Sequence, residues 1–287
     1  MIEGLTGSCR SLSSQLYAKS THFLQELVQN ADDNVYPENE RRILSFTYRA
    51  GSLRVDCNEV GLTAANVEAL CAVNQSTKSG KTHHDELTGE KGIGFKSVFK
   101  AADVVWISSR EFNFKFDKTE SPLGMVTPEW ADFPEPIRPG YTSIFLQLSD
   151  SCNEEILVRH LLGFDANLLI FLRRIEEIEV SIVQLGREPR EKRIGKMKSS
   201  QSDEGHMVEL YDGDNAFQCM IQAHSVTDLP MEKKRLNWSK TRIVLGFPVV
   251  EGNPLVLPQK VYAFLPIRNY GLNVRLHSAA LKTPSEL

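Results

Sequence analysis

The chain has 287 residues, 41% hydrophobic and 24% charged, with a formal net charge of -4 and a pI near 6.0. That length holds one large domain or two modest ones around an ample core. The acidic balance argues against a broad nucleic-acid or membrane footprint, and no apolar run reaches transmembrane length. The first twenty residues lack the basic-then-apolar order of a signal peptide. Five cysteines (Cys9, Cys57, Cys71, Cys152, Cys219), odd in number and free of CxxC spacing, read as reduced thiols of an intracellular protein.

In chain order, residues 11 to 33 predict a helix that ends before Pro37. At about 100° per residue, Glu26, Asn30 and Asp33 fall within roughly 60° of one another, opposite Leu24, Leu27, Val28 and Ala31. The apolar stripe suits a sheet, while the acid and amide look into a cleft. A water-orienting carboxylate one turn from an amide oxygen suits metal-assisted phosphate chemistry. Ile43–Arg49 and Ser52–Cys57 alternate as strands around Ala50-Gly51. Thr63 caps a predicted helix over Ala64–Val73.

Residues 74 to 91 are polar and aperiodic, a length of loop that is usually functional or disordered. Phe95, Val98, Phe99 and Ala102 then recur at helical spacing. Val104–Ser108 and Phe112–Asp117 predict a hairpin, and a loop with Pro134, Pro136 and Pro139 leads to a strand over Tyr141–Leu148. Asn153–Leu162 and Ala166–Arg173 read as helices and Ile178–Val183 as a strand. Residues 186 to 205, charged and almost without apolar anchors, read as a flexible linker. Met207–Tyr211, Ala216–Ala223, Arg242–Val250, Val261–Leu265 and Val274–His277 are strand-like.

Residues 89 to 97, GEKGIGFKS, place Gly89, Gly92 and Gly94 before a helix, with Lys91 and Lys96 adding charge. Glycines let a backbone approach a phosphate, and a helix start offers free N–H groups. Two familiar motifs fail here. A P-loop needs its lysine directly after the last glycine, but Phe95 intervenes, and a dinucleotide loop needs a third glycine where Ser97 stands. Asp56 to Leu62, DCNEVGL, ends a strand with Gly61 able to let a ring lie on the backbone. Thr142, in Gly140-Tyr141-Thr142, is placed on a strand that could reach the same pocket.

The ordered series of acid-amide helix, D/N-x-x-G turn, polar lid, GxxGxG and G-x-T strand resembles the GHKL, or Bergerat, ATP-binding fold. That superfamily includes the heat-shock ninety-kilodalton chaperones, gyrase B, MutL, MORC proteins and histidine kinases. Residues 16–34 (LYAKSTHFLQELVQNADDN), 58–62, 66–71, 76–78 and 89–99 look like its NO VEIN/sacsin branch. The likeness is dense from about 10 to 148 and thin afterwards.

The resemblance implies an α+β fold: a two-layer α/β sandwich, its mixed, mostly antiparallel sheet carrying helices on one face, followed by a smaller mostly β segment. The implied layout is an ATP-binding domain over 1–185, a charged linker over 186–205 and a β-rich segment over 206–287. It implies Glu26 orienting the attacking water, Asn30 holding Mg²⁺, and Asp33 supporting the site. Gly89, Lys91, Gly92, Ile93, Gly94, Phe95 and Lys96 would meet the phosphates, Ser76, Thr77 and Lys78 would belong to the lid, and Thr142 would lie on the adenine side.

The family pattern D-x-G-x-G departs here: aligned on Gly61, its aspartate falls on Cys57 and its first glycine on Glu59. Asp56 or Asn58 is then the substitute for reading adenine. Related ATPases take a completing basic residue from the following domain, and no motif places Lys260, Arg268 or Arg275 in that role. The expectation is ATP and ADP binding with Mg²⁺, slow hydrolysis, a conformational switch read by a protein client or partner, and no membrane. The alternatives are a degenerate scaffold module without turnover, or a nucleic-acid-associated ATPase, which the net acidity opposes.

Overall fold

The structure, a computed structural model, describes residues 22–71, 94–202, 205–227, 240–250, 253–255, 260–263, 265–269 and 275–278. It is α+β and divides into two units, one of residues 1–163 and 178–192, the other of 164–177 and 193–287.

In the first unit the predicted alternation forms β1 (Ile43–Arg49) and β2 (Ser52–Cys57). Gly51 closes their turn at φ +78°, a backbone state that L side chains disfavour. The antiparallel register sets Leu44 opposite Cys57 and Ser45 opposite Asp56. On its other edge β2 pairs with β6 (Thr142–Leu148), Cys57 facing Thr142 and Asp56 facing Ser143. β3 (Ala102–Ser109), β4 (Phe112–Asp117) and the short β5 (Glu129–Trp130) continue from β6, and β7 (Glu177–Val183) flanks β1. The order is β7-β1-β2-β6-β3-β4-β5.

Strand side chains alternate between faces, so the register sorts them. Tyr48, Leu53, Leu146, Val105 and Phe116 lie in one cross-strand row, and Phe46, Val55, Ile144, Ile107 and Phe114 in the next. Leu44, Cys57 and Thr142 belong to that same face. Phe95 and Phe99 each meet the Phe116 ring at 6.4 Å between centroids, which puts their 3₁₀ helix (Phe95–Lys100) on this face. The 3₁₀ helix packs against α1 (His22–Asp33), the described part of the helix predicted over 11–33. Phe23, Leu24, Leu27, Val28 and Ala31 of α1 are buried, as its apolar stripe requires.

The opposite face carries Arg54, Asp56 and Ser143, with Trp106 and Phe145 in edge-to-face contact. Arg54 lies over Phe133 and donates to Glu135 Oε2 and Pro136 O at 3.0 Å each. The Pro-rich loop is thereby held against this face.

Two local expectations change. Ala102 continues the helical spacing after Phe95, Val98 and Phe99, yet it opens β3 opposite Leu148. Three buried residues fit a short 3₁₀ stretch, whose i and i+3 side chains eclipse. The second change concerns Ala166–Arg173, where 3₁₀ structure covers Ala166–Ile170 under an Asp165 cap. Elsewhere Thr63 Oγ1 accepts from Asn66 N–H at 3.3 Å to start α2 (Ala64–Cys71). Asn153 caps α3 (Glu154–Leu162) through Ile156 N–H.

In the second unit β8 (Arg190–Ser202), β9 (Gly205–Asp212), β10 (Asn215–Thr227) and β11 (Lys240–Val250) pair antiparallel in succession. Residues 190–202, expected as linker, are therefore strand. The missing apolar anchors are replaced by the backbone ladder and a few local contacts. Ile194 is buried, Lys196 N–H donates to Glu176 O at 2.8 Å, and Gly195 leaves room for the Tyr211 ring, which any Cβ would strike. The strand predicted over Val261–Leu265 is two, β13 (Lys260–Ala263) and β14 (Leu265–Asn269), paired antiparallel. β12 (Asn253–Pro254) pairs with β11, and β15 (Arg275–Ser278) runs antiparallel to β11 and parallel to β13.

Phe116 is fully buried among Phe95, Phe99 and Phe114. Phe116→Ala is expected to lower unfolding free energy by about 3–5 kcal/mol through lost burial and a cavity, read as a drop in denaturant midpoint at unchanged slope.

Candidate functional site

The polar stripe of α1 and the end of the glycine loop meet directly. A Cβ at Gly94 would collide with Glu26 Oε2. Gly94 has φ -60°, so what it needs glycine for is space and not backbone freedom. The other Glu26 oxygen, Oε1, lies 3.5 Å from His22 Nδ1, one helical turn back. Asn30 is half-buried and Asp33 is buried. Just past Gly94, Lys96 Nζ and Ser97 Oγ are buried without a hydrogen-bond partner among the described residues. Burial pushes the Lys96 ammonium below its ordinary value, while Cys71 pulls it back up. Phe95, expected beside the phosphates, is a core residue against Phe116. Ser76, Thr77, Lys78, Gly89, Lys91, Gly92 and Ile93 lie outside the described residues.

The strand-end candidates separate. Asp56 sits on the face of β2 away from α1, because the pairing with β1 and β6 carries no bulge there. Its carboxylate accepts from Arg54 Nε at 2.9 Å and from Ser143 Oγ at 2.5 Å. The register thus does not bring Asp56 to the helix side, and the arginine satisfies it where it stands. Asn58 is buried as a clamp: Oδ1 accepts from Ile43 N–H and Nδ2 donates to Arg41 O, both at 2.7 Å. Its amide holds the start of β1 to the end of β2. Gly61 adopts φ +92°, and a Cβ there would meet Arg110 Cγ at 2.6 Å. Arg110 Nε donates to Val60 O at 2.5 Å, so a side chain roofs the glycine.

Thr142 is joined to residues that pattern reading assigned no role. Thr142 Oγ1 donates to Glu59 Oε1 at 2.6 Å, and Glu59 is buried. With its proton so used, Thr142 accepts from Ser109 Oγ, 2.6 Å away, and Ser109 Oγ accepts from Leu62 N–H at 2.8 Å. The series Leu62 N–H, Ser109 O–H, Thr142 O–H thus points every proton at the Glu59 carboxylate. Such one-directional chains polarise one another.

Beside it, Tyr36 Oη donates to Ala31 O at 2.7 Å and lies 3.0 Å from Cys57 Sγ. The tyrosine proton being engaged, the thiol proton points at Tyr36. Burial pushes the Cys57 thiol up to about 12, reinforced by the Glu59 and Asp56 carboxylates and opposed by hydrogen bonding with Tyr36 and the Glu59 backbone. Burial also raises Tyr36, with Cys57, Glu59 and Asp32 adding to it.

The helix side of the first unit thus carries the Glu59 carboxylate, held by Thr142 Oγ1, and the buried Lys96 ammonium. Among the described residues no cluster of three or more His, Cys, Asp or Glu side chains forms a metal cage. None of the helices there is long and apolar enough to cross a membrane.

Two stability tests check this geometry. Asn58→Ala removes the acceptor of Ile43 N–H and the donor to Arg41 O and is expected to cost about 1–3 kcal/mol, measured by urea denaturation. For Cys57, the unfolded thiol ionises near 9.0 and the folded one near 12. Above pH 9 the unfolded state loses a proton that the folded state keeps, so stability falls between pH 9 and 12. Cys57→Ala is expected to flatten that alkaline decline in denaturation midpoints.

No family model matches the chain. It is similar to Protein NO VEIN of Arabidopsis thaliana, 31% identical over 305 residues, covering 96% of this chain and 10% of that protein. The chain thus spans about a tenth of the length of the curated relative it matches. The similarity is to a segment of that protein.

Proposed function

We propose that the first unit is an ATP-binding module of the GHKL type, a two-layer sandwich that takes Mg²⁺ with the nucleotide and turns it over slowly. The contact between Glu26 and Gly94 carries this reading. A carboxylate held at the last glycine of a GxxGxG loop is positioned to orient water at a terminal phosphate. Lys96 supports it, since a buried ammonium without a partner among the described residues is costly unless an anion joins it. Asn30, one turn from Glu26, is the residue that would hold Mg²⁺, and the metal would neutralise phosphate charge when bound. Nucleotide occupancy would be read by a protein partner as a change in conformation.

A scaffold reading draws on one observation: the neutral Cys57 thiol stands where the family pattern has a carboxylate. Thermal melting with Mg·ATP separates the two, because a ligand specific to the native state raises stability. An ATP module is expected to melt higher at millimolar Mg·ATP, and no shift favours the scaffold. Lys96→Ala is expected to weaken ATP affinity about tenfold to a hundredfold, the value of a charge-assisted hydrogen bond. Glu26→Gln should keep ATP affinity within a few-fold yet abolish phosphate release, measured in a steady-state assay.

A further inference from the structure

We propose that residues 135–139, Glu-Pro-Ile-Arg-Pro, form a docking ridge for a protein partner. The partner it fits carries a groove of parallel aromatic side chains with a carboxylate at its rim, the chemistry that reads polyproline. The ridge is held on the face of the sheet away from α1 and does not depend on the nucleotide reading.

The sequence itself keeps this stretch extended. The proline rings fix φ at about -65° at Pro136 and Pro139. Glu135 and Arg138, each preceding a proline, are pushed to the same extended region. Ile137 is the one residue of the five without such a constraint. The ridge is bounded by a bend at Pro134 and Glu135 and by a turn at Pro139 and Gly140. In that turn Tyr141 N–H donates to Arg138 O at 3.2 Å and Gly140 takes φ +78°, the pattern of a type II turn with proline first and glycine second.

Side chains fasten the ridge from beneath. Glu135 Oε1 accepts from Arg49 at 2.8 Å and Oε2 from Arg54 at 3.0 Å. Arg54 also donates to Pro136 O at 3.0 Å and lies over the Phe133 ring, which meets Phe145 edge-to-face. The Arg138 guanidinium carbon lies 3.7 Å from the centre of the Tyr141 ring. Polyproline geometry has three residues per turn, so Glu135 and Arg138 share one edge, the anchored one. Pro136 and Pro139 share the second, and Ile137 sits on the third. Those last three residues are exposed, Ile137 at 53%.

This sorting selects the partner. Segments of P-x-x-P spacing are taken by grooves lined with aromatic rings. A ridge already fixed before contact loses less entropy on docking than a free segment does. With Glu135 engaged by two arginines, Arg138 is the charge the ridge presents at the surface. Its complement is a carboxylate beside the groove.

The test applies the full chain to a panel of purified SH3 and WW domains, followed by titration calorimetry on those that bind. At least one is expected to bind saturably, one to one. Pro136→Ala and Pro139→Ala are each expected to weaken that binding about tenfold, as central contacts of an interface do, in variants confirmed as folded by urea denaturation. Arg138→Gln is expected to weaken it severalfold and to reduce its loss with added salt. Binding by no domain of the panel overturns the proposal, as does binding that survives the Pro136→Ala/Pro139→Ala double variant. Unchanged affinity and salt dependence in Arg138→Gln overturn the carboxylate at the rim. Self-association in sedimentation that the double variant abolishes places a second copy on the ridge and overturns the outside partner.

Discussion

The unbroken pairing of β2 between β1 and β6 is the constraint on which the site depends. A strand's side chains alternate with a period of two, so one register decides which residues meet the helices and which do not. Here it sends Leu53, Val55 and Cys57 to α1 and Arg54 and Asp56 to the Pro-rich loop. A slip of one residue would bury Arg54 among Phe46 and Phe116 and expose the apolar row. The guanidinium would then lose Asp56, Glu135 and the Phe133 face together. The polar cluster around Arg54 is thus a register lock as much as a surface feature, and Asn58 fastens the same strand at its end.

Because register is fixed from both sides, charge on the helix face is confined to residues beyond the end of β2. Glu59 is the first position after Cys57 whose backbone has left the ladder and can turn a side chain back toward Thr142. The neutral thiol follows from the same packing. A carboxylate at position 57 would share its surroundings with Glu59 and Asp56, which already raise the thiol there. One buried acid can be satisfied by a short donor chain, whereas two adjacent acids repel.

Much of the first unit was legible because its signals are local. Two-residue alternation marked β1, β2, β4 and β6, Ala50-Gly51 marked their turn, and the 3.6 period marked α1. The stripe of Glu26, Asn30 and Asp33 followed from helix geometry alone. What stayed hidden depends on partners distant in sequence. β8 is mostly polar, with Ile194 its one buried apolar anchor, and is a strand through its ladder with β9 and the Tyr211 ring over Gly195. Asp56 looks suitable until the strand's facing is known, and one residue of register removes it. Glu59 carries no motif; its partner Thr142 is 83 residues away.

Gly94 shows how tightly the two halves of such a site can be coupled. Its Cα hydrogen occupies the space that any side chain would take from Glu26 Oε2. The 3₁₀ helix that begins after it is pinned by Phe95 and Phe99 on Phe116, and α1 is pinned by its own apolar stripe. With both elements pinned, a side chain at position 94 would be admitted by the Glu26 carboxylate, the free end of a flexible side chain, turning aside, so the glycine sets where that carboxylate rests. Glu26 itself keeps partial exposure, with Oε1 3.5 Å from His22 Nδ1, so packing fixes the backbone on either side of the contact while the carboxylate at its centre stays adjustable.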